Sequence, residues 1–204
     1  MDWTKEETEF LKTLNDADKI QAFLDSVDYN PIYECKSPRW VIRKRSAHCF
    51  EGALFAAAAL QFNGYKPLLV DMKSQNDDDH VLAVFKENGY WGSIGKSNFT
   101  TLRYREPVYR NLRELIMSYF DFYFNMNGYK SLRSYSIPLD LRIYDKLNWA
   151  TTDDDLEYIG DKLEKIRHYP VVSEKMIKML KPASEVVVKA GLMGSNAEGL
   201  FKPK

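Results

Sequence analysis

The spacing of apolar residues predicts two amphipathic helices near the N-terminus. In "WTKEETEFLKTL" and "NDADKIQAFLDSV" apolar side chains recur every three to four positions, which is the period of a helix that buries one face. Thr4 and Asp16 stand where a helix N-cap is expected, because their side chains can accept a hydrogen bond from the free N–H groups of the first turn. We therefore expect N-terminal helices within residues 1–40, followed by a proline-punctuated loop.

A third segment, "SAHCFEGALFAAAALQFNG", is apolar on nearly every side. A helix with this pattern is buried all round, and its alanines allow other backbone to approach closely. Ser46 is a suitable N-cap and Gly64 a suitable C-terminal stop. The pattern predicts a central buried helix with Cys49 in its first turn.

After Gly64 the spacing becomes that of extended chain. "YKPLLVDM" predicts a buried strand, and "HVLAVF", which begins at His80, predicts a second. The segment "YWGSI" predicts a third strand, joined to the second by Asn88-Gly89, a strong hairpin signal. A two-residue turn at these positions pairs Glu87 with Tyr90.

The rest of the chain returns mainly to helical spacing. "EPVYRNLRELIMSYFDFYF", "TTDDDLEYIGDKLEKIRHY" with Thr152 as its cap, and "SEKMIKMLKP" each predict a helix. We expect one α+β domain over residues 1–204, with a core at 41–100 and a mainly helical remainder at 101–204. A chain of 204 residues is of ordinary size for a single domain.

Composition narrows the classes of partner. Hydrophobic residues make up 45% of the chain, charged residues 28%, and the formal net charge is zero, which is ordinary for a soluble globular protein. We expect no nucleic-acid partner, since the arginines among the aromatic residues of 102–124 flank a helical apolar face. We expect no membrane partner, since no apolar run approaches roughly 20 residues. Two cysteines and an acidic, polar N-terminus predict a cytoplasmic protein.

Cys49 has two interpretations on sequence grounds. Only a thiolate is a good nucleophile, and the positive end of a helix dipole, the basic residues 43–45 and a histidine partner would each lower the thiol pKa from about 8.5. A free cysteine is also among the most commonly buried residue types, so Cys49 could be a small apolar filler. Cys35, in a proline-flanked loop, is interpreted as an ordinary free thiol.

The order of elements resembles a known group of enzymes. "HCFEGALFAAAALQFNGYKPLLVDM", "DDDHVLAVF" and "YWGSIGKSN" together resemble the core of the transglutaminase-like cysteine enzymes, in the papain-like superfamily, over about residues 40–98. The resemblance implies a central helix starting near Cys49 and packed on a small antiparallel sheet. It also implies that Cys49 is the nucleophile and that His80 is the general base and then the general acid.

The third catalytic residue departs from the family pattern. The family usually has an aspartate shortly after the tryptophan, but residues 92–95 are Gly, Ser, Ile and Gly. Asn98 is the residue that the resemblance to papain-like asparagines implies, and Ser97 is the alternative. The hairpin register pairs His80 with Ser97, whereas a bulge would bring Asn98 opposite.

Other polar groups near these positions have expected roles in the site. The N–H of Cys49 is the expected oxyanion donor, and Trp40 or Arg43 are candidate side-chain donors. Residues 77–79, all aspartates, are expected to raise the pKa of His80. Arg103 and Arg105 either line a pocket for an acidic substrate group or are surface charges.

A metal or cofactor is not expected. His48 and Cys49 are adjacent, so on a helix their side chains point about 100° apart. The sequence has no Cys-x-x-Cys or His-x-x-x-His repeat of the kind that binds zinc.

These observations predict a cysteine hydrolase or acyltransferase that acts on an amide or related acyl bond of an unknown peptide, protein or small amide. The alternative is a non-catalytic binding or scaffold module on a degenerate fold of the same kind.

Overall fold

A computed structural model of the protein describes residues 2–203. In chain order the helices are α1 (Lys5–Thr13), α2 (Ala17–Ser26), α3 (Pro38–Lys44), α4 (Cys49–Phe62), α5 (Leu112–Phe120), α6 (Glu157–Lys165), α7 (Glu174–Ile177) and α8 (Glu185–Gly191). The strands are β1 (Asp28–Tyr29), β2 (Ser46–Ala47), β3 (Leu68–Ser74), β4 (His80–Glu87), β5 (Tyr90–Ile94), β6 (Arg105–Tyr109), β7 (Leu132–Ser136), β8 (Leu139–Asp140) and β9 (His168–Pro170). The α+β prediction is therefore confirmed.

An antiparallel sheet forms the centre of the protein. Its strands lie in the order β6-β5-β4-β3-β7-β9, with β8 also pairing to β3. The hairpin between β4 and β5 turns at Asn88 and Gly89, both with positive φ, as this tight turn requires. Glu87 pairs with Tyr90, so the predicted register is confirmed.

The two faces of the sheet are covered by different helices. Along β4, Val81, Ala83 and Phe85 belong to the hydrophobic cluster that contains α4, as the alternation of a strand requires. Leu82 and Val84 belong to a second cluster that contains the buried face of α5. Helix α4 is buried along most of its length, as its apolar pattern predicted.

The first two helices begin at their predicted caps. The Thr4 hydroxyl accepts a hydrogen bond from the Glu7 N–H, and Glu7 bonds back to the Thr4 N–H, which forms a capping box. The Asp16 carboxylate accepts from the N–H of Lys19. Local sequence therefore sets both starts.

Other elements differ from their sequence predictions. Ser46 does not cap α4, because it lies in β2 and pairs with Asp28 of β1; the N-cap is His48. Thr152 does not cap α6, which begins only at Glu157. Short helix α3 occupies part of the predicted loop, and β6 occupies the start of the predicted aromatic helix. The segment after residue 100 was expected to be mainly helical, but it contributes four strands. They extend the sheet on both sides of β3, β4 and β5.

Candidate active site

Cys49 is the first residue of α4, and its position depends on the helix cap. The imidazole Nδ1 of His48 accepts a hydrogen bond from the Phe50 N–H at 3.2 Å, and its Nε2 donates to the carbonyl oxygen of Glu34 at 2.5 Å. The Glu51 carboxylate accepts from the His48 N–H at 3.1 Å. These bonds satisfy donors that a helix N-terminus leaves free and hold Cys49 at the end of the dipole.

The sulfur of Cys49 lies against the backbone of β4. Its Sγ is 3.9 Å from the carbonyl oxygen of Asp79, and the N–H groups of Val81 and Phe50 point at it. Asp79 and Val81 are the chain neighbours of His80. The structure therefore brings the predicted nucleophile to the peptide groups on both sides of the predicted base.

His80 opens β4 and is buried, with 4% of its surface exposed. Its Nε2 lies 2.9 Å from the carbonyl oxygen of Leu102. A carbonyl oxygen can only accept, so Nε2 carries the proton and Nδ1 of the neutral ring is left with a free lone pair. Among the described residues no side chain or backbone group hydrogen-bonds to this Nδ1.

Burial keeps both groups neutral. It raises the pKa of the Cys49 thiol to about 12, although the Val81 and Phe50 N–H groups act in the opposite direction. Burial also lowers the pKa of His80 to about 4, against the effect of the Leu102 carbonyl. These shifts favour a neutral thiol and a neutral imidazole, and they disfavour an ion pair.

Two expectations about the pKa values of Cys49 and His80 are wrong. Arg43 lies 3.6 Å from the Glu7 carboxylate, and Arg45 bonds to Ser26 and stacks over an aromatic ring, so neither guanidinium lowers the Cys49 pKa. The aspartates at 77–79 do not raise the pKa of His80, because burial dominates and lowers it.

Asn98 and Ser97 lie near the site, but their side chains are bonded elsewhere. The Asn98 amide donates to the Asn196 carbonyl oxygen at 2.8 Å and accepts from the Asn196 N–H at 2.7 Å. Ser97 accepts from the N–H of Phe99 at 3.0 Å. Strand β5 ends at Ile94, so its ladder with β4 stops three residues before His80. The imidazole contact is instead supplied by the backbone of Leu102, for which sequence carries no signal.

Gly95 marks the place where a carboxylate would meet the imidazole. A Cβ built on Gly95 would stand 3.5 Å from Nε2 of His80 and 3.6 Å from the Leu102 carbonyl oxygen. This glycine follows the hairpin tryptophan closely, near the place where the sequence resemblance implied an aspartate. The carbonyl of Leu102 thus occupies the side of the ring that an aspartate at 95 would approach.

Cys49 and His80 line the same cavity, which has a volume of about 550 Å³. Asn98, Ser97, Leu102 and Cys35 also contribute to its wall. Burial raises the pKa of the Cys35 thiol to about 11. The cavity is therefore a space in which a ligand would touch both Cys49 and His80.

The candidate arginines do not reach this cavity. Arg103 pairs with Asp25 at 2.8 Å, and the Arg105 guanidinium lies 3.9 Å from the ring centre of Tyr119. Neither contributes to the cavity wall, and the same is true of Arg43 and Trp40. The N–H of Cys49 remains the expected oxyanion donor.

Within residues 2–203, no group of three or more His, Cys, Asp or Glu side chains is arranged to hold a metal ion. In the same part of the chain, no helix combines the length and the apolar character that crossing a bilayer requires.

No protein-family model matches the sequence, and comparison with curated proteins gives no match.

Proposed function

We propose that this protein is a cysteine hydrolase or acyltransferase of the transglutaminase-like type, which acts on an amide or related acyl bond. One observation carries the proposal: the Cys49 sulfur, at the start of a buried helix, lies against the peptide groups that flank His80, and both residues line one cavity. A free Nδ1 on His80 supplies the proton acceptor that a neutral thiol needs.

The neutral resting pair defines the order of proton transfers. Nδ1 of His80 takes the Cys49 proton as the sulfur–carbon bond forms and the carbonyl electron pair moves to oxygen. The N–H of Cys49, free at the helix end, stabilises that oxyanion. The imidazolium then returns the proton to the leaving amine, which leaves a thioester on Cys49. Water or an amine attacks the thioester with His80 again as base, and the thiol is regenerated.

In this mechanism the Leu102 carbonyl positions the ring. Its hydrogen bond to Nε2 keeps the tautomer whose Nδ1 is basic, and it stabilises the imidazolium that forms transiently. A carbonyl carries no formal charge, so it stabilises the cation less than a carboxylate does. We therefore expect a slower enzyme than one with an aspartate at this place.

A non-catalytic binding module is the second candidate. It is favoured by the Cys49 pKa of about 12, because a thiol that remains protonated at neutral pH is a poor nucleophile without an effective base. The same cavity would then hold a ligand without acyl transfer.

The test uses p-nitrophenyl acetate and the Cys35→Ala variant, in which Cys49 is the one remaining cysteine. We expect a burst of nitrophenol and an acetyl group on Cys49, detected by intact mass and peptide mapping. The additional change His80→Asn should slow acetylation about 10²- to 10⁴-fold. If Cys35→Ala/Cys49→Ala releases nitrophenol with the same burst, or if Cys49 gains no acetyl group, the enzyme proposal is wrong.

A further inference from the structure

The cavity beside Cys49 has a strongly acidic wall in a chain whose formal net charge is zero. Within residues 2–203, eight carboxylates and one lysine, Lys73, contribute to it. The carboxylates belong to Glu34, Asp71, Asp77, Asp78, Asp79, Asp155, Glu157 and Glu164. The negative charge is therefore concentrated at the site by the fold.

These carboxylates come from separate parts of the structure. They lie on the loop before α3, on β3, on the β3–β4 loop, and on α6 with the loop that precedes it. They surround the cavity from several sides, so a run of acidic sequence does not explain them. A cation inside the cavity would be attracted from more than one direction.

Lys73 neutralises one side of the wall. Its ammonium lies 2.7 Å from Asp79, 3.4 Å from Asp71 and 3.8 Å from Glu164. It forms no ion pair with Asp77 or Asp78. Lys73 therefore does not neutralise Asp77 or Asp78.

Asp77 and Asp78 have neutral partners. The Asp77 carboxylate accepts from the Ser131 hydroxyl at 2.6 Å, and Asp78 accepts from the Tyr33 hydroxyl at 3.0 Å. No described Lys or Arg forms an ion pair with either of them. Burial raises the pKa of Asp77 to about 6 and also raises that of Asp78, as expected for carboxylates that lack a cation. Both groups would gain from a bound positive charge.

A second feature of the cavity points independently to a ligand. His80 is 4% exposed and lines the cavity, yet its Nδ1 has no hydrogen-bond partner among the described residues. An imidazole nitrogen that has no protein partner can accept a hydrogen bond from a ligand in the cavity. Tyr33 and Phe50 also line the cavity, and aromatic faces attract cations.

From these features we propose that the site selects an acyl substrate with a basic side chain, lysine or arginine, next to the bond that Cys49 attacks. This inference rests on the proposed function and names its substrate class. The acyl carbon lies at Cys49 and His80, and the cationic group lies against Asp77 and Asp78. An acidic or uncharged side chain at the same place leaves the two carboxylates unpaired.

Three matched esters test the proposal in the Cys35→Ala variant: the p-nitrophenyl esters of Nα-acetyl-lysine, Nα-acetyl-norleucine and Nα-acetyl-glutamate. Norleucine resembles lysine without the ammonium group. We expect kcat/KM for the lysine ester to exceed that for norleucine by about tenfold or more, with glutamate lowest, since a hydrogen bond to a charged group supplies this much. The preference should fall with added salt.

Asp77→Asn/Asp78→Asn should remove most of the lysine preference, measured as the ratio of kcat/KM for the lysine ester to that for the norleucine ester. Glu185→Gln, an exposed carboxylate on α8 outside the cavity, is the matched control and should change neither rate. Equal rates with all three esters, each acylating Cys49, would overturn the substrate inference while the enzyme proposal stands.

A binding measurement separates the two proposals. Nα-acetyl-lysine amide and Nα-acetyl-norleucine amide are titrated into Cys35→Ala/Cys49→Ala by calorimetry. If no ester acylates Cys49, the enzyme proposal fails, and tighter binding of the lysine amide still supports cation selection by the cavity. If the lysine amide binds no better than the norleucine amide, cation selection is wrong.

Discussion

Nε2 of His80 donates to the carbonyl oxygen of Leu102 at 2.9 Å, so a backbone group and not a side chain holds this nitrogen of the imidazole. The contact determines which ring nitrogen is basic. It also explains how the imidazole is oriented while Asn98 binds Asn196.

The first prediction concerns Gly95→Asp. A carboxylate at this position would reach Nε2, because a Cβ there stands 3.5 Å from it; the Cδ2 of Leu82 at 2.7 Å must move aside. We expect the His80 pKa to rise from about 4 and the acylation of Cys49 to become about tenfold faster. Histidine NMR titration and the nitrophenol burst measure the two effects.

Gly95→Ala is the control for this change, since it adds the Cβ without the charge. It should leave the His80 pKa low and should not accelerate acylation. Equal pKa values in the Ala and Asp variants would show that position 95 does not face the imidazole.

The second prediction concerns the pH dependence of cysteine alkylation. Because burial raises the Cys49 pKa to about 12, the thiolate fraction grows about tenfold per pH unit up to that value. We expect the rate of iodoacetamide modification of native Cys49 to rise steadily from pH 7 to 10 without a plateau. Peptide mapping distinguishes Cys49 from Cys35, and urea-unfolded protein provides the reference for an ordinary thiol. A plateau below pH 8 would indicate a thiolate–imidazolium pair instead.

The third prediction separates two roles for Asn98. Its amide makes two hydrogen bonds to Asn196, so Asn98→Ala should loosen the segment 192–203 and cost about 1–2 kcal/mol of unfolding free energy. Hydrogen exchange should become faster in that segment, while acylation of Cys49 stays within about tenfold of the parent. Thr100→Val, which removes the bond from Thr100 to the Met193 carbonyl, is a matched change on the same segment. A fall in acylation of 10²-fold or more with unchanged exchange would assign Asn98 to catalysis.

The fourth prediction concerns Gly52 in α4. A Cβ on Gly52 would stand 2.3 Å from the Cβ of Lys96, which sits close to the backbone and cannot rotate away. Gly52→Ala should therefore destabilise the protein by about 1–3 kcal/mol in urea unfolding. In contrast, a Cβ on Gly160 in α6 meets nothing closer than 4.0 Å, so Gly160→Ala should be neutral or stabilising by up to about 1 kcal/mol. Equal stability changes in the two variants would contradict the close approach at Gly52.

Much of the central fold was predictable from local sequence. Apolar spacing located α4, β3 and the β4–β5 hairpin, because helix and strand periods differ and Asn88-Gly89 favours a tight turn. Capping chemistry located the starts of α1 and α2. The prediction that Ser46 caps α4 was wrong, since the Ser46 backbone pairs with β1 and His48 is the N-cap.

The two main residues of the candidate site could be chosen from the sequence, but their pKa values could not. Cys49 and His80 were identified from their order along the chain, and the structure places both at one cavity. Their pKa values depend on burial by distant elements, which local sequence does not encode. The direction in which Arg43 and Arg45 point was likewise decided by Glu7 and Ser26, which lie far away along the chain.

By itself, the sequence determined that Cys49 lies in the first turn of a buried helix and that a strand begins at His80, because these features follow from short-range periodicity and turn chemistry. Only the tertiary structure decided that the Leu102 carbonyl meets the imidazole and that Asn98 binds Asn196. It also decided that eight carboxylates surround the cavity. Such contacts join residues that are distant along the chain, and a backbone carbonyl is common to every residue, so no local pattern records them.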